Sequence, residues 1–403
     1  MILNGTVSAD RIHISFFGNR NVGKSSLVNA ITGQSLSVVS DVLGTTTDPV
    51  KKAMELLPLG PVLITDTPGF DDVGALGQLR VQKTRQILAK TDIAVLVRDC
   101  TAEITQSEQE FLTLINDKKI PLIIAHNKAD LLSDIPNADD NNIWVSAEKN
   151  ININEIKQKI GSLSKVKSDK KIVSDMLEEN DIVVLVTPID AAAPKGRLIL
   201  PQQQVLRDII DKNCTAVVCQ TESLESTLNS LKSAPKMVIT DSQAFFEVGK
   251  IVPSDVPLTS FSILFARYKG DLITQVDGAR TLSKIKSDDK ILISEGCTHH
   301  RQCGDIGTVK LPKLIKKFTG AQPQFTFTSG GEFPEDLSEY KLVIHCGGCM
   351  LNEAEMKHRI KTATNANVPI VNYGVAIAHM NGILFRSISL FPDALKVLED
   401  GNL

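Results

Sequence analysis

The chain has 403 residues, 42% of them hydrophobic, and a formal net charge of -3. That length favours two or three cores over one, and the near-neutral balance supplies no global basic field, which disfavours nucleic acid as the main partner. The first ten residues lack the basic and apolar regions of a secretion signal, and no stretch reaches the roughly 18 consecutive apolar residues of a membrane span, so the expectation is a cytoplasmic protein with no membrane partner.

Short apolar runs at 12–17, 62–65, 93–97, 122–125 and 143–145 alternate with helix-compatible sequence, as buried parallel strands do. The first run leads into Gly18-Asn19-Arg20-Asn21-Val22-Gly23-Lys24-Ser25, and a helix-compatible stretch begins at Ser26. This is the order of a phosphate-binding loop: glycines let backbone N–H groups wrap phosphates at a helix N-terminus, Lys24 neutralises β/γ charge, and Ser25 is a Mg²⁺ ligand. Asp66-Thr67-Pro68-Gly69 follows the second run and places a carboxylate near the metal and the Gly69 N–H near the γ-phosphate. Between these two motifs, Gly44-Thr45-Thr46-Thr47-Asp48 offers Thr46 as a hydroxyl for metal and γ-phosphate; its plainer reading is a threonine-rich turn.

Asn127-Lys128-Ala129-Asp130 follows the fourth run, and the Asp130 carboxylate can accept from both N1–H and N2–H of guanine. Adenine offers no such donor pair, so the base preference has a mechanism. Ser146-Ala147-Glu148 follows the fifth run and can present backbone donors to guanine O6. Four motifs in this order define a GTP site with Mg²⁺.

A lysine-rich break at 165–171 reads as a linker. Strands at 182–186, 215–219 and 237–240, spaced by helix-compatible sequence, form a small α/β unit with no catalytic set; its basic turn Pro194-Lys195-Gly196-Arg197 reads more as a solvated loop than as a phosphate contact. A third set follows Pro257, with strands at 290–293, 342–344 and 369–372. The expected architecture is α/β throughout: a P-loop GTPase domain at 1–165, an α/β domain at 172–260 and a final α/β domain at 261–403.

Four of the seven cysteines, Cys297, Cys303, Cys346 and Cys349, fall in that final domain. Cys297-Thr298-His299 and His345-Cys346-Gly347-Gly348-Cys349 each lie just beyond a predicted strand, where open α/β sheets place ligands. In a reducing compartment the clustering points to metal binding or redox chemistry more than to a disulfide framework. On chemistry alone, three thiolates and an imidazole suit tetrahedral Zn²⁺ and a 4Fe-4S cluster equally. His299, His345, Asp305 and Cys303 all compete for the fourth position; His300 reads as a surface residue. Cys100, Cys214 and Cys219 read as small buried residues.

The first domain resembles the GTPases of the TrmE and Era group, whose loop reads Gly-Thr-Thr-Arg-Asp where this chain has Thr47 in place of arginine. Phe70 stands where Ras-like enzymes carry a water-orienting glutamine. Asn21 matches the asparagine with which potassium-activated members hold K⁺ beside the phosphates, and its plainer reading is a loop-stabilising hydrogen bond. With the two cysteine motifs behind a GTPase domain, the whole chain resembles the HydF family of FeFe-hydrogenase maturation GTPases. That resemblance implies a 4Fe-4S cluster on Cys297, Cys346 and Cys349 and a homodimer formed through the middle domain. It also implies a scaffold that accepts a di-iron precursor built with the radical-SAM maturases HydE and HydG and delivers it to apo-hydrogenase. The competing reading is an RNA- or ribosome-associated GTPase with a structural zinc module.

Overall fold

The computed structural model describes residues 10–33, 49–57, 59–69, 84–163, 170–188, 198–296 and 305–400. It divides into two compact units, Met1–Asp169 and Lys170–Leu403.

The first unit is built on six strands: β1 (Ile12–Phe17), β2 (Val50–Leu56), β3 (Gly60–Asp66), β4 (Ile93–Asp99), β5 (Leu122–Asn127) and β6 (Asn142–Trp144). Their order is β2-β3-β1-β4-β5-β6, parallel except for the antiparallel β2. Because successive side chains alternate faces, β4 sends Ile93, Val95 and Val97 into one core and Ala94 and Leu96 into the other. The first core is closed by the helices Lys24–Thr32 and Ile153–Leu163, the second by Gln106–Lys118. That last helix starts where it does because Thr105 and Glu108 form a reciprocal capping box. The chain order reverses between β1 and β4, so the phosphate loop after β1 opens at the switch point of the sheet.

The second unit holds two four-stranded parallel sheets. One contains β7 (Ile182–Val186), β8 (Thr215–Cys219), β9 (Met237–Thr240) and β10 (Leu258–Ser260) in the order β10-β9-β7-β8. The other contains β11 (Lys290–Ser294), β12 (Gln324–Thr328), β13 (Leu342–His345) and β14 (Ile370–Asn372) in the order β12-β11-β13-β14. A single apolar cluster joins them, drawing Val184 and Leu185 from the first sheet and Ile291, Ile293, Ile344 and Val371 from the second. The opposite face of the second sheet packs Leu292, Val343 and Ile370 against Met356 and Ile360 of the helix Glu353–Asn365. Here the order reverses between β11 and β13, the two strands that run into the cysteine motifs.

Candidate functional site

The phosphate loop owes its shape to three left-handed or near-left-handed residues. Gly18 has φ +147° and lies so close to Val97 that a Cβ would sit 2.2 Å from its carbonyl oxygen; Gly23 has φ +86° and approaches the Asn127 amide in the same way, at 2.3 Å. Asn21, exposed at the tip, has φ 59°, a conformation asparagine adopts more readily than most residues. Asn19 is buried: its amide donates to Thr105 Oγ1 (3.0 Å) and its carbonyl accepts from Ser107 Oγ (3.2 Å), which fixes the loop to the start of Gln106–Lys118. Lys24 Nζ lies within the loop, 2.9 Å from the Gly18 carbonyl and 2.6 Å from that of Asn19.

Ser25 Oγ donates to Asp66 Oδ2 at 2.5 Å, while the buried Asp66 Oδ1 has no hydrogen-bond partner. Burial holds the Asp66 carboxyl above its ordinary range, against the lowering influence of Ser25, Lys24 and Lys52. A buried orphaned carboxylate oxygen beside a serine hydroxyl is the donor set a Mg²⁺ ion takes. Thr67 anchors the loop after β3 by donating from Oγ1 to the Phe16 carbonyl at 2.7 Å, and Gly69 follows, half-buried.

On the base side, Asn127 is a bracket: Nδ2 donates to the Val22 carbonyl at 2.9 Å, and Oδ1 accepts from the Ala147 N–H at 3.1 Å. Lys128, at φ 64°, pairs with Asp99 at 2.6 Å. Asp130 is half-buried on the short helix Ala129–Leu131, and Ser146 is fully buried, with its Oγ accepting from the Lys149 N–H. The Glu148 side chain is exposed and lies 3.8 Å from Lys149 Nζ. The expected residues 18–26, 66, 69, 127, 128, 130 and 146–148 therefore gather at the open ends of β1, β3 and β5 and beyond β6. Thr46 and Phe70 lie outside the described residues.

Sequence reasoning misses Lys52. It sits in β2, buried, and donates to Asn29 Oδ1 and Thr32 Oγ1, both at 3.0 Å. Burial lowers its pKa, and Asp66 acts in the opposite direction. No apolar run marks β2, so nothing in the sequence singles this lysine out.

In the second unit, Ser294 at the end of β11 and His345 at the end of β13 are register neighbours. Cys346 follows at once; its Sγ accepts from the Gly296 N–H at 3.0 Å, and Gly348 supplies a second N–H. Burial pushes the thiol up to about 11 while those two N–H groups pull it down, a pocket that disfavours a bare thiolate and suits one neutralised by metal. Gly348 has φ +65°, and a Cβ there would meet Met356 Sδ at 2.7 Å, so the turn that brings Cys349 back requires glycine. Beneath it, buried Lys269 donates to the Leu351 carbonyl at 3.0 Å and lies 3.4 Å from that of Cys349.

Two of the expected fourth-ligand candidates are described. His345 is fully committed: Nδ1–H donates to the Cys346 carbonyl at 2.7 Å, and Nε2 accepts from Arg359 Nη1 at 3.0 Å. Burial first and Arg359 second lower its pKa to about 3, leaving a neutral ring with no free nitrogen. In this arrangement neither ring nitrogen of His345 is open to a metal, so the ligand role expected of it would require the Arg359 or Cys346 contact to break. Asp305 caps the turn Ile306–Lys310, its Oδ2 accepting from the Thr308 N–H at 2.8 Å and from Thr308 Oγ1 at 2.9 Å. A further carboxylate, buried Glu295, accepts from Tyr373 Oη at 3.3 Å. The Tyr373 phenol is held high by burial and then by Cys346, Glu295 and Asp305, so these groups share one neighbourhood.

Cys297, His299, His300 and Cys303 lie outside the described residues, as does the 194–197 turn. Among the described residues no three His, Cys, Asp or Glu side chains draw together into a metal site. Cys346 and Cys349 supply two thiols of the expected set, and their glycine-shaped turn and N–H donors fit a thiolate-bound metal. Of the other cysteines Cys214 is buried, whereas Cys100 and Cys219 are half-buried.

Three family profiles match this chain: residues 172–270 the hydrogen maturase F dimerization domain, 273–390 the hydrogen maturase F tetramerization domain, and 13–128 the 50S ribosome-binding GTPase. The chain belongs to the hydrogen maturase F family. Its first unit matches a GTPase profile. The dimerization profile runs to 270, beyond the boundary expected at 260, and takes in the helix Phe261–Lys269. Among curated relatives, the tRNA modification GTPase MnmE of Nitrosospira multiformis is 32% identical over 161 residues, covering 38% of this chain and 35% of that protein. MnmE of Francisella tularensis subsp. novicida is 35% identical over 164 residues, 39% of this chain and 36% of the relative. The chain thus spans about a third of the length of these relatives. Among solved structures, the G domain of the T. maritima FeoB iron transporter aligns with 38% of this chain and 98% of its own at 21% identity and a TM-score of 0.30. Among the described residues no helix is long and apolar enough to cross a membrane.

Proposed function

We propose that this chain is a GTP-hydrolysing scaffold of FeFe-hydrogenase maturation. In this reading it accepts a di-iron precursor assembled with the radical-SAM maturases HydE and HydG and passes it to apo-hydrogenase in the cytoplasm. The observation that carries the reading is the pair of hydrogen maturase F profiles across 172–270 and 273–390, in a chain whose cysteine turn opens at a sheet switch point. The competing reading, an RNA- or ribosome-associated GTPase with a zinc module, gains no such support.

In the first unit, the N–H groups from Val22 to Ser25 and the Lys24 ammonium meet the phosphates, and Asp130 reads the guanine edge. Ser25, the orphaned oxygen of Asp66 and Thr46 would hold Mg²⁺, which would neutralise phosphate charge when bound. Gly69 directs its N–H to the γ-phosphate. Asn21 offers its side-chain oxygen to K⁺, in place of the arginine finger that other GTPases use. In the second unit, Cys297, Cys346 and Cys349 would hold a 4Fe-4S cluster, which would supply an iron with an exchangeable fourth ligand. Asp305, His299 and Cys303 are the candidates for that position, and Glu295, which with Cys346 and Asp305 acts on Tyr373, joins them. Protomers join through the middle domain by pairing sheet edges; β8 is the accessible edge of its sheet, whereas every residue of β10 at the other edge is buried.

Anaerobic purification with metal, sulfide and nucleotide analysis tests the reading. Brown protein with iron, sulfide and GTP turnover supports it; colourless protein with one zinc per chain overturns it in favour of the zinc module.

A further inference from the structure

We infer that Arg359 is a positioning residue for the cysteine site, tying together the two strand ends that lead into the cysteine motifs and poising the reduction potential of the cluster held there. The inference rests on the reading of Cys297, Cys346 and Cys349 as cluster ligands.

Arg359 lies in the helix Glu353–Asn365 with its side chain 1% exposed. Its Nη1 spans the register pair at the ends of β11 and β13, 3.3 Å from Ser294 Oγ and 3.0 Å from His345 Nε2. Ser294 lies three residues before Cys297, and His345 immediately precedes Cys346. The imidazole carries the contact onward, because its Nδ1–H donates to the Cys346 carbonyl. The same guanidinium donates from Nη2 to the Gly330 carbonyl and to Glu355 Oε1, both at 2.5 Å, and stacks over Phe333 at 5.1 Å. One buried group therefore ties the end of β11, from which the sequence continues to Cys297, to the end of β13, which carries Cys346.

The charge matters as much as the geometry. Arginine remains protonated in proteins, and away from water its field falls off slowly. Cluster potentials respond to nearby charge and burial. A positive charge one hydrogen-bonded side chain from Cys346 stabilises the reduced cluster, which carries one more electron. Glu355 offsets part of that field. Neutralising each partner in turn must therefore move the potential in opposite directions, whereas mere loosening of the fold would move both the same way.

The test uses the full chain, reconstituted anaerobically with iron and sulfide as wild type, Arg359→Gln, Arg359→Lys and Glu355→Gln. Iron content, thermal melting and the midpoint from a dithionite titration followed by electron paramagnetic resonance are measured for each. The expected result is a more negative midpoint in Arg359→Gln, a more positive one in Glu355→Gln, and a midpoint close to wild type in Arg359→Lys, which keeps the charge. If Arg359→Gln does not fold, the upward shift of Glu355→Gln still decides. Iron-loaded variants with unmoved midpoints, or with shifts of the same sign, overturn the role of Arg359. Wild-type protein that takes up no iron and sulfide removes the underlying cluster reading instead.

Discussion

Asn127 holds Val22 in place: its amide donates to the Val22 carbonyl at 2.9 Å from the far side of a Gly23 that leaves no room for a Cβ. Through its other amide atom it holds Ala147 as well, so phosphate loop and guanine loop are set by one side chain. Asn127→Ala removes two hydrogen bonds and leaves the buried Val22 carbonyl unsatisfied, at about 1–3 kcal/mol. GTP affinity should fall by roughly 10- to 100-fold, since about 1.4 kcal/mol is a factor of ten. Fluorescent-nucleotide titration measures it, and unchanged affinity would mean that the bracket does not shape the site.

Asp130→Asn should move nucleotide preference from guanine towards xanthine, whose N1–H and C2 carbonyl suit an amide. Competition between GTP and XTP reads the change; a variant that keeps its GTP preference removes Asp130 from the base site. Lys24→Ala in parallel should abolish turnover by withdrawing charge from the phosphates.

Hydrolysis should run faster in K⁺ than in Na⁺ at equal ionic strength. The basis is Asn21 at the exposed tip of the loop and the absence of a water-orienting glutamine at Phe70. Asn21→Ala should erase the difference, and equal rates in both salts for the wild type would end the cation proposal.

Val218 in β8 is 43% exposed on the accessible edge of its sheet. Val218→Lys places a charge where a second copy would pair, a device that keeps natural edges apart. The variant should dissociate at concentrations where the wild type is dimeric, seen by sedimentation velocity. An unchanged dimer would move the interface away from β8.

Much of this was legible from apolar runs. The strands Ile182–Val186 and Met237–Thr240 fall where their branched residues predict because they are buried between layers, and the half-exposed edge strand Thr215–Cys219 is marked by its own branched run. β2, β10 and β12 escape notice for separate reasons. β2 (VKKAMEL) is antiparallel with charged residues in it, β10 has three residues, and β12 (QFTFT) is a half-exposed edge. The nucleotide motifs are readable because phosphate and guanine chemistry leaves little choice of residue. The surroundings of His345 are not legible in the sequence, because nothing there shows that Arg359 meets its second ring nitrogen. Arg359 itself stands in the run EAEMKHRIK, which reads as a solvated helix face; only the fold shows that it turns inward.

The central claim is that Cys297, Cys346 and Cys349 hold an iron–sulfur cluster in a unit separate from the GTPase domain. Iron counting on anaerobically reconstituted Cys346→Ala, paired with a GTPase assay on the same sample, tests it most directly. The account predicts iron well below wild type with GTP turnover retained, while His345→Gln, whose ring is committed to Arg359 and a carbonyl, should keep its iron. Full cluster loading in Cys346→Ala would contradict the ligand assignment, and lost turnover in a folded variant would contradict the independence of the two sites.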